Sequence, residues 1–187
     1  MKKYQIIYAD PPWKYGDRVM NKGHGGRFDS LQLHYSSMTT KEICSLPIKE
    51  MCDENCLLFI WTTDSHIPDC LKVISSWGFV YKTVGFYWLK TSPKTGLPSP
   101  NLGKWTQKNG ELCFLATKGK CSQFIKDRKI HQLIQEPRSK HSKKPLETKR
   151  RITKMFGDVP CIELFARQRT PGWDVWGNEV ESDIELN

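Results

Sequence analysis

The stretch Tyr4-Gln5-Ile6-Ile7-Tyr8-Ala9-Asp10-Pro11-Pro12-Trp13 decides the fold class, because a mostly apolar run ends there at an acidic turn. Such a run is typical of a strand that is covered on both faces. The two prolines fix two φ angles and remove two N–H donors, so we expect a rigid turn whose carbonyl oxygens have no partner of their own. The sequence therefore predicts a carboxylate, carbonyl acceptors and an aromatic ring at one strand end.

This turn has two interpretations. A cluster of acceptors around Asp10 suits an amine that carries two N–H donors, such as the exocyclic amine of adenine, and Trp13 offers a face on which a base can stack. The alternative is an ordinary strand-ending turn in which Asp10 caps a nearby backbone group.

Length and composition predict one domain over residues 1–187, since 38% hydrophobic and 26% charged residues are ordinary for a globular protein. No apolar stretch reaches the length of a membrane helix and no signal-peptide core follows Met1, so we expect no membrane contact and a cytoplasmic location. The seven cysteines are odd in number and scattered, which argues against a disulfide framework. Cys52 and Cys56 lack a second ligand pair, so we predict no metal site.

The charge balance favours a polyanionic partner. Lysine and arginine number 29 against 20 acidic residues, giving a net charge of +9. The excess is concentrated between residues 118 and 154 and includes Lys140 and Lys143, whereas residues 180–187 form an acidic tail. A solvated basic face is the alternative to a nucleic-acid surface.

Periodicity predicts an α/β domain with a mostly parallel sheet flanked by helices. Thr39 and Glu42 form a capping box that opens a helix which Pro47 interrupts, and two further helices are expected before Gly78 and Gly157. Their apolar stripes are expected to include Leu71 and Leu146. The predicted strands span residues 5–9, 56–62, 83–90, 111–117 and 161–166, and the third and fourth have no helix between them, which indicates an antiparallel edge.

Two long segments, residues 14–34 and 91–110, are rich in Gly, Pro, Ser and Asn. Long loops in a compact domain are usually functional. Because ligands of open α/β sheets bind beyond the carboxyl ends of the strands, where Asp10 is expected, we interpret both segments as substrate loops. Plain surface loops are the alternative.

Several motifs together resemble the MT-A70 family, whose members are adenine-N6 methyltransferases that use S-adenosylmethionine. Eukaryotic members act on mRNA, and bacterial or phage members act on DNA. The resemblance implies a single Rossmann-like methyltransferase domain of the small bacterial or phage type. It extends from Tyr4 to about Glu179 and is carried by 10–13 (DPPW), 34–38 (HYSSM), 103–105 (GKW) with 109–111 (NGE), 142–145 (SKKP), 162–167 (IELFAR) with 172–173 (GW), and 177–179 (GNE).

On the substrate side, the resemblance implies that Asp10 and the Pro11 carbonyl, within the catalytic motif that also holds Pro12, receive the adenine amine. Trp13 and Tyr35 would form the walls of the base pocket, and Glu111 would lie near the target nucleotide. The remaining candidate substrate-binding residues are Trp105, Lys140 and Lys143. By composition alone, Glu111 could instead be a cross-strand partner.

On the cofactor side, the resemblance implies contacts from residues at several strand ends: Asp10, Lys144, Phe165, Arg167, Arg169, Asn178 and Glu179. A solvated Lys144, a surface ion pair of Arg167 and a turn role for Asn178 are the alternatives. The chain departs from the family pattern where Arg169-Thr170 replaces a histidine and an asparagine, and Lys143 replaces a histidine. It also has no G-x-G-x-x-G loop, so other strand ends must hold the cofactor.

These observations predict direct methyl transfer to adenine N6 in DNA. The alternatives are the same reaction on RNA, a catalytically silent nucleic-acid-binding scaffold and, from acidic residues that form no clear cluster, a metal-dependent nuclease. A monomer and a homodimer remain equally open.

Overall fold

The computed structural model describes residues 2–14, 37–100, 105–138 and 143–186. Within them, helices α1 (Thr40–Ser45), α2 (Ile48–Met51), α3 (Ile67–Ser76) and α4 (Leu146–Phe156) accompany seven strands. The strands are β1 (Tyr4–Ala9), β2 (Cys52–Thr62), β3 (Val80–Thr91), β4 (Gly110–Lys118), β5 (Leu133–Pro137), β6 (Cys161–Leu164) and β7 (Asp174–Trp176).

The strands of the described residues form one sheet in the order β5-β3-β4-β2-β1-β6-β7. Every pair is parallel except the two that involve β4. The predicted mostly parallel α/β sheet is therefore confirmed, and so is the antiparallel pairing of β3 with β4. The place of the antiparallel strand was wrong: β4 lies between β3 and β2, inside the sheet and not at its edge.

Both faces of the sheet are covered, which explains the apolar strands. Side chains of a strand alternate between faces. Accordingly, Ile7 and Leu58 belong to a core shared with α1, α2 and α3, whereas Ile6 and Phe59 belong to a second core shared with α4.

The helices begin and end largely where the sequence signals predict. The Thr39–Glu42 capping box is present, α1 and α2 are separated at Pro47, and Gly78 and Gly157 follow α3 and α4 with φ of 81° and 79°. Two stripe residues were predicted wrongly: Leu71 and Leu146 are exposed, because the buried faces of α3 and α4 are formed by Cys70, Val73, Ile74, Thr148, Lys149, Ile152 and Phe156.

Strand order places Asp10 at a switch in connectivity. From β1 the chain adds strands on the β2 side, then returns through α4 to add β6 and β7 on the other side. In open α/β sheets such a point, at the carboxyl ends of the strands, is where ligands bind. The predicted substrate loop 91–110 is described except for residues 101–104, and its turn is closed by pairing of Thr91 with Pro98. Residues 15–34 of the other loop lie outside the described residues.

Candidate active site

Four charged side chains of alternating sign meet at the carboxyl edge of the sheet. Asp10 follows β1, Lys90 lies near the end of β3, and Lys144 comes just before α4. Glu111 joins them because β4 runs in the opposite direction, so that its first residues lie where the other strands end. The chain of contacts runs Asp10, Lys144, Glu111, Lys90.

Lys144 is shared by two carboxylates. Its Nζ lies 2.9 Å from Asp10 Oδ1 and 3.1 Å from Glu111 Oε2, and its side chain is only 12% exposed. Burial by itself would lower the pKa of Lys144, but the charges of Asp10 and Glu111 raise it above its ordinary value. The cation is therefore held in place at neutral pH, and Asp10 carries a fixed positive partner on one of its two oxygens.

Lys90 completes the group from the other side. It donates to Glu111 Oε1, and its Nζ also lies 4.9 Å from the centroid of the Trp88 ring. Burial would raise the pKa of Glu111, but Lys144 and Lys90 together lower it below its ordinary value. Lys90 was not among the residues predicted for the site. The available signal was a lysine within an otherwise apolar strand end, since buried charges are normally paired.

The backbone of the 10–13 turn is more fully bonded than predicted. The Pro11 carbonyl accepts from the Trp13 N–H at 2.9 Å, and the Pro12 carbonyl accepts from the Met38 N–H at 2.8 Å. The expectation that these carbonyls have no partner was therefore wrong, because the turn closes on itself and pairs with the segment before α1. Each oxygen has a second lone pair, so the proposed contact of Pro11 with an amine is compatible with this geometry.

Trp13 is anchored within the protein. Its indole N–H donates to the Trp61 carbonyl at 3.1 Å, and its ring stacks on His66 with centroids 5.7 Å apart and an interplanar angle of 18°. With the residue only 9% exposed, one ring face is occupied by the protein itself. Stacking of a base on Trp13 stays a prediction. Tyr35, the other predicted wall, lies outside the described residues.

The ends of β6 and β7 are tightly joined. The Ala166 N–H donates to the Trp176 carbonyl at 2.9 Å, and a Cβ on Gly177 would lie 2.2 Å from the Ala166 oxygen, so this close approach requires glycine. Phe165 has φ of 60°, an unusual value for a residue other than glycine, and its ring packs edge-on against Trp176. Backbone strain of this kind clusters at ligand sites.

The predicted cofactor residues at these ends are surface groups with defined contacts. Arg167 Nε lies 3.6 Å from Glu179 Oε1. Asn178 lies in the exposed corner between Gly177 and Glu179. Arg169 forms a two-pronged ion pair with Asp183 at 2.9 and 3.1 Å. The fold thus brings Phe165, Arg167, Asn178 and Glu179 to the sheet edge that also carries Asp10.

A second buried charge group, missed by sequence reasoning, lies beneath α4. Lys149 Nζ contacts Glu163 of β6, donates to Thr170 Oγ1 at 2.6 Å and lies 5.6 Å from the Tyr8 ring centroid. Burial raises the pKa of Glu163 above its ordinary value, although Lys149 opposes that shift. A glutamate inside the apolar run 161–166 was the available signal. This pair links α4 to the strand that leads into Phe165.

For the remaining predicted substrate residues, no contact with the cluster of Asp10, Lys144, Glu111 and Lys90 is described. Trp105 is 90% exposed and Lys143 is exposed, while Lys140 lies outside the described residues. Among the residues that the structure describes, no cluster of three or more His, Cys, Asp and Glu side chains is arranged to hold a metal ion. No described helix has the length and apolar character needed to cross a membrane.

Comparison with known proteins identifies the family. A family model described as MT-A70 matches residues 4–179. The chain belongs to the MT-A70 family. The predicted membership is confirmed, as is the predicted enzyme class, adenine-N6 methyltransferase.

The chain is 36% identical to the type II methyltransferase M.MunI of a Mycoplasma species, an alignment that covers 99% of this chain and 82% of that protein. It is 28% identical to the mouse N(6)-adenine-specific methyltransferase METTL4, covering 96% of this chain but 38% of METTL4. The N6-methyladenosine RNA methyltransferase MTA1 of Cryphonectria parasitica is 27% identical, covering 95% of this chain and 52% of that protein.

Proposed function

We propose that this protein transfers a methyl group from S-adenosylmethionine directly to the exocyclic amine of adenine in DNA. The observation that carries the proposal is the Asp10 carboxylate, held at the connectivity switch of the sheet with one oxygen fixed by Lys144 at 2.9 Å. Since Lys144 contacts Oδ1, we assign the other carboxylate oxygen of Asp10, Oδ2, to the adenine amine.

Methyl transfer to the adenine amine requires a hydrogen-bond acceptor at the position of Asp10. The adenine amine is a weak nucleophile because its lone pair is delocalised into the ring. Hydrogen bonds from its two N–H groups to Asp10 and the Pro11 carbonyl would localise that lone pair and stabilise the positive charge that develops on nitrogen. The product proton then passes to Asp10 or to water. S-adenosylmethionine, when bound, supplies the electrophilic methyl carbon on its sulfonium.

Lys144 has a positioning role in this scheme. By pairing with both Asp10 and Glu111, it fixes the direction of the Asp10 carboxylate before substrate arrives. A preorganised acceptor needs no reorganisation as charge develops, which is the main source of electrostatic catalysis. Holding the amine in line with the methyl carbon supplies much of the remaining rate enhancement.

The residues at the β6 and β7 ends fit S-adenosylmethionine. We assign Phe165, Arg167, Arg169, Asn178 and Glu179 to this cofactor, together with Lys144 and Asp10. A carboxylate and an amide in an exposed corner suit the hydroxyls of a ribose. Gly177 allows the backbones of the two strand ends to approach closely at this corner.

The substrate side is assigned to Trp13, Tyr35, Trp105, Glu111, Lys140 and Lys143. A net charge of +9 supports binding of a polyanion. A base within a duplex must leave the stack to reach Asp10, and stacking on an aromatic side chain would return about 1–3 kcal/mol of that cost.

Similarity to the type II methyltransferase M.MunI over 82% of its length is the comparison on which we favour DNA as the substrate. The similarity to an RNA methyltransferase makes RNA a candidate substrate, and the lower identity ranks it second. Methyl transfer from labelled S-adenosylmethionine to matched DNA and RNA oligonucleotides, each single-stranded and duplex, distinguishes them. We expect faster transfer to DNA; faster transfer to RNA would assign the second function, and nucleic-acid binding without transfer to either would indicate a silent scaffold.

A further inference from the structure

The acidic C-terminal segment folds back onto the edge of the sheet. Asp183 pairs with Val175 of β7 in both directions: its N–H donates to the Val175 carbonyl at 2.8 Å, and its carboxylate accepts from the Val175 N–H at 2.8 Å. Ile184 and Leu186 pack partly buried against the core on the α1–α3 side of the sheet. The segment thus covers a strand edge whose backbone groups would otherwise be unpaired.

Three consecutive residues of this segment contact residues at the ends of β6 and β7. Glu181 and Asp183 contact Arg169, and Ser182 contacts Gly177, the first residue of the corner formed by residues 177–179. Arg169 donates to both carboxylate oxygens of Asp183 and to the Glu181 carbonyl at 2.9 Å. The Ser182 hydroxyl accepts from the Gly177 N–H at 3.1 Å and donates to the Gly177 carbonyl at 3.3 Å. The segment therefore ties Arg169, which follows β6, to the 177–179 corner, which follows β7.

We propose that Asp183 is a positioning residue for cofactor binding, which holds Arg169 and β7 so that the 177–179 corner is formed before S-adenosylmethionine arrives. This inference rests on the proposed function. Asp183 acts through Arg169 and Val175 and is not assigned any contact with the cofactor. Preorganising a site raises affinity because less ordering remains to be done on binding.

The exposure of the Arg169–Asp183 ion pair determines whether its loss would destabilise the whole fold or only the local structure. The Arg169 and Asp183 side chains are 53% and 29% exposed, and pairs as exposed as this contribute little to the unfolding of a whole domain. Removing the carboxylate should therefore loosen the corner without unfolding the protein. Asp183→Asn keeps the size of the side chain and one carbonyl oxygen, so it removes the charge and one of the two prongs facing Arg169.

The test compares Asp183→Asn with Glu185→Gln in the full chain, since both remove one acidic charge from the same segment and Glu185 is exposed. In the absence of ligand, hydrogen exchange of the backbone amides of residues 174–179 should accelerate in Asp183→Asn alone. Isothermal titration calorimetry should then show S-adenosylmethionine binding weakened about fivefold by Asp183→Asn, the size expected for a charge-assisted pair, and unchanged by Glu185→Gln.

Steady-state kinetics separates positioning from a direct role. The KM for S-adenosylmethionine should rise in Asp183→Asn while kcat at saturating cofactor stays near the wild-type value. Equal affinity in the two variants, or a fall in kcat without a change in KM, would overturn the inference. If the wild-type protein fails to bind S-adenosylmethionine at all, the proposed function fails and this inference with it; if the wild type binds and Asp183→Asn binds equally well, only this inference fails.

Discussion

Replacing Lys144 by methionine is the sharpest test of the charge cluster at the carboxyl edge of the sheet. This lysine is the cation that Asp10 and Glu111 share. Its Nζ lies 2.9 and 3.1 Å from the two carboxylates, whose side chains are 22% and 11% exposed. Removing one partner of a buried pair costs about 3–5 kcal/mol, and the partial exposure of Asp10 together with the remaining contact of Lys90 to Glu111 reduces this to about 2–3 kcal/mol. Methionine keeps most of the volume, so little of that loss is due to a cavity.

The loss should depend on pH in a defined direction. Burial would raise the pKa of Glu111, but Lys144 and Lys90 hold it below the ordinary value of 4.5. A carboxyl group whose pKa is lower in the folded than in the unfolded state stabilises the fold above the unfolded pKa, and this contribution disappears as pH falls through the folded pKa. The difference between wild type and Lys144→Met should therefore be largest near neutral pH and should shrink below 4.5.

Urea unfolding at pH 7 and at pH 4 measures both effects. Lys143→Met is the matched control, since Lys143 is the adjacent residue and is exposed; its effect should stay within about 0.5 kcal/mol. A Lys144→Met variant as stable as this control, or a deficit that is the same at both pH values, would show that Lys144 does not stabilise the fold through these two carboxylates.

Two further predictions concern the neighbours of this group. Lys90→Met should destabilise the fold by about 2 kcal/mol and raise the pKa of Glu111, whereas Lys90→Arg keeps the pair and should retain most of the stability; equal losses in urea unfolding would contradict this. Trp13→Ala should cost about 3–5 kcal/mol because the ring is 9% exposed. Trp13→Phe keeps an aromatic ring but loses the bond to the Trp61 carbonyl and part of the indole volume, so it should cost less, about 1–2 kcal/mol. Thermal unfolding of both variants measures this, and an Ala variant as stable as the Phe variant would be inconsistent with the buried placement.

The strand pattern of the sequence predicted the sheet because buried parallel strands are continuously apolar. β5 was missed, since Leu133–Pro137 is short, mixes exposed with buried residues and ends in proline, which suits the edge strand that it is. β7 was missed because three residues carry no periodicity. The interior place of β4 depends on pairing with β2 and β3, which local patterns do not encode.

At the candidate site, motif resemblance predicted Asp10, Glu111 and Lys144 but not how they are paired. Asp10 and Lys144 are far apart in the sequence and meet only because β1 and the start of α4 share one edge of the fold. The contact of the acidic segment with Arg169 was missed for the same reason. Asp183 belongs to a stretch that the sequence predicts only as an acidic tail, and its contacts depend on the edge of β7, which forms in the folded protein.

In the proposed reaction, Asp10 receives the amine that is methylated. The most direct test is labelled-methyl transfer to an adenine-containing DNA oligonucleotide by wild type and Asp10→Asn at saturating S-adenosylmethionine, with cofactor affinity measured by calorimetry on the same samples. We predict that methyl transfer falls at least about a hundredfold while the cofactor still binds. An Asp10→Asn variant that binds S-adenosylmethionine and retains most of its methyl transfer would show that another group receives the amine.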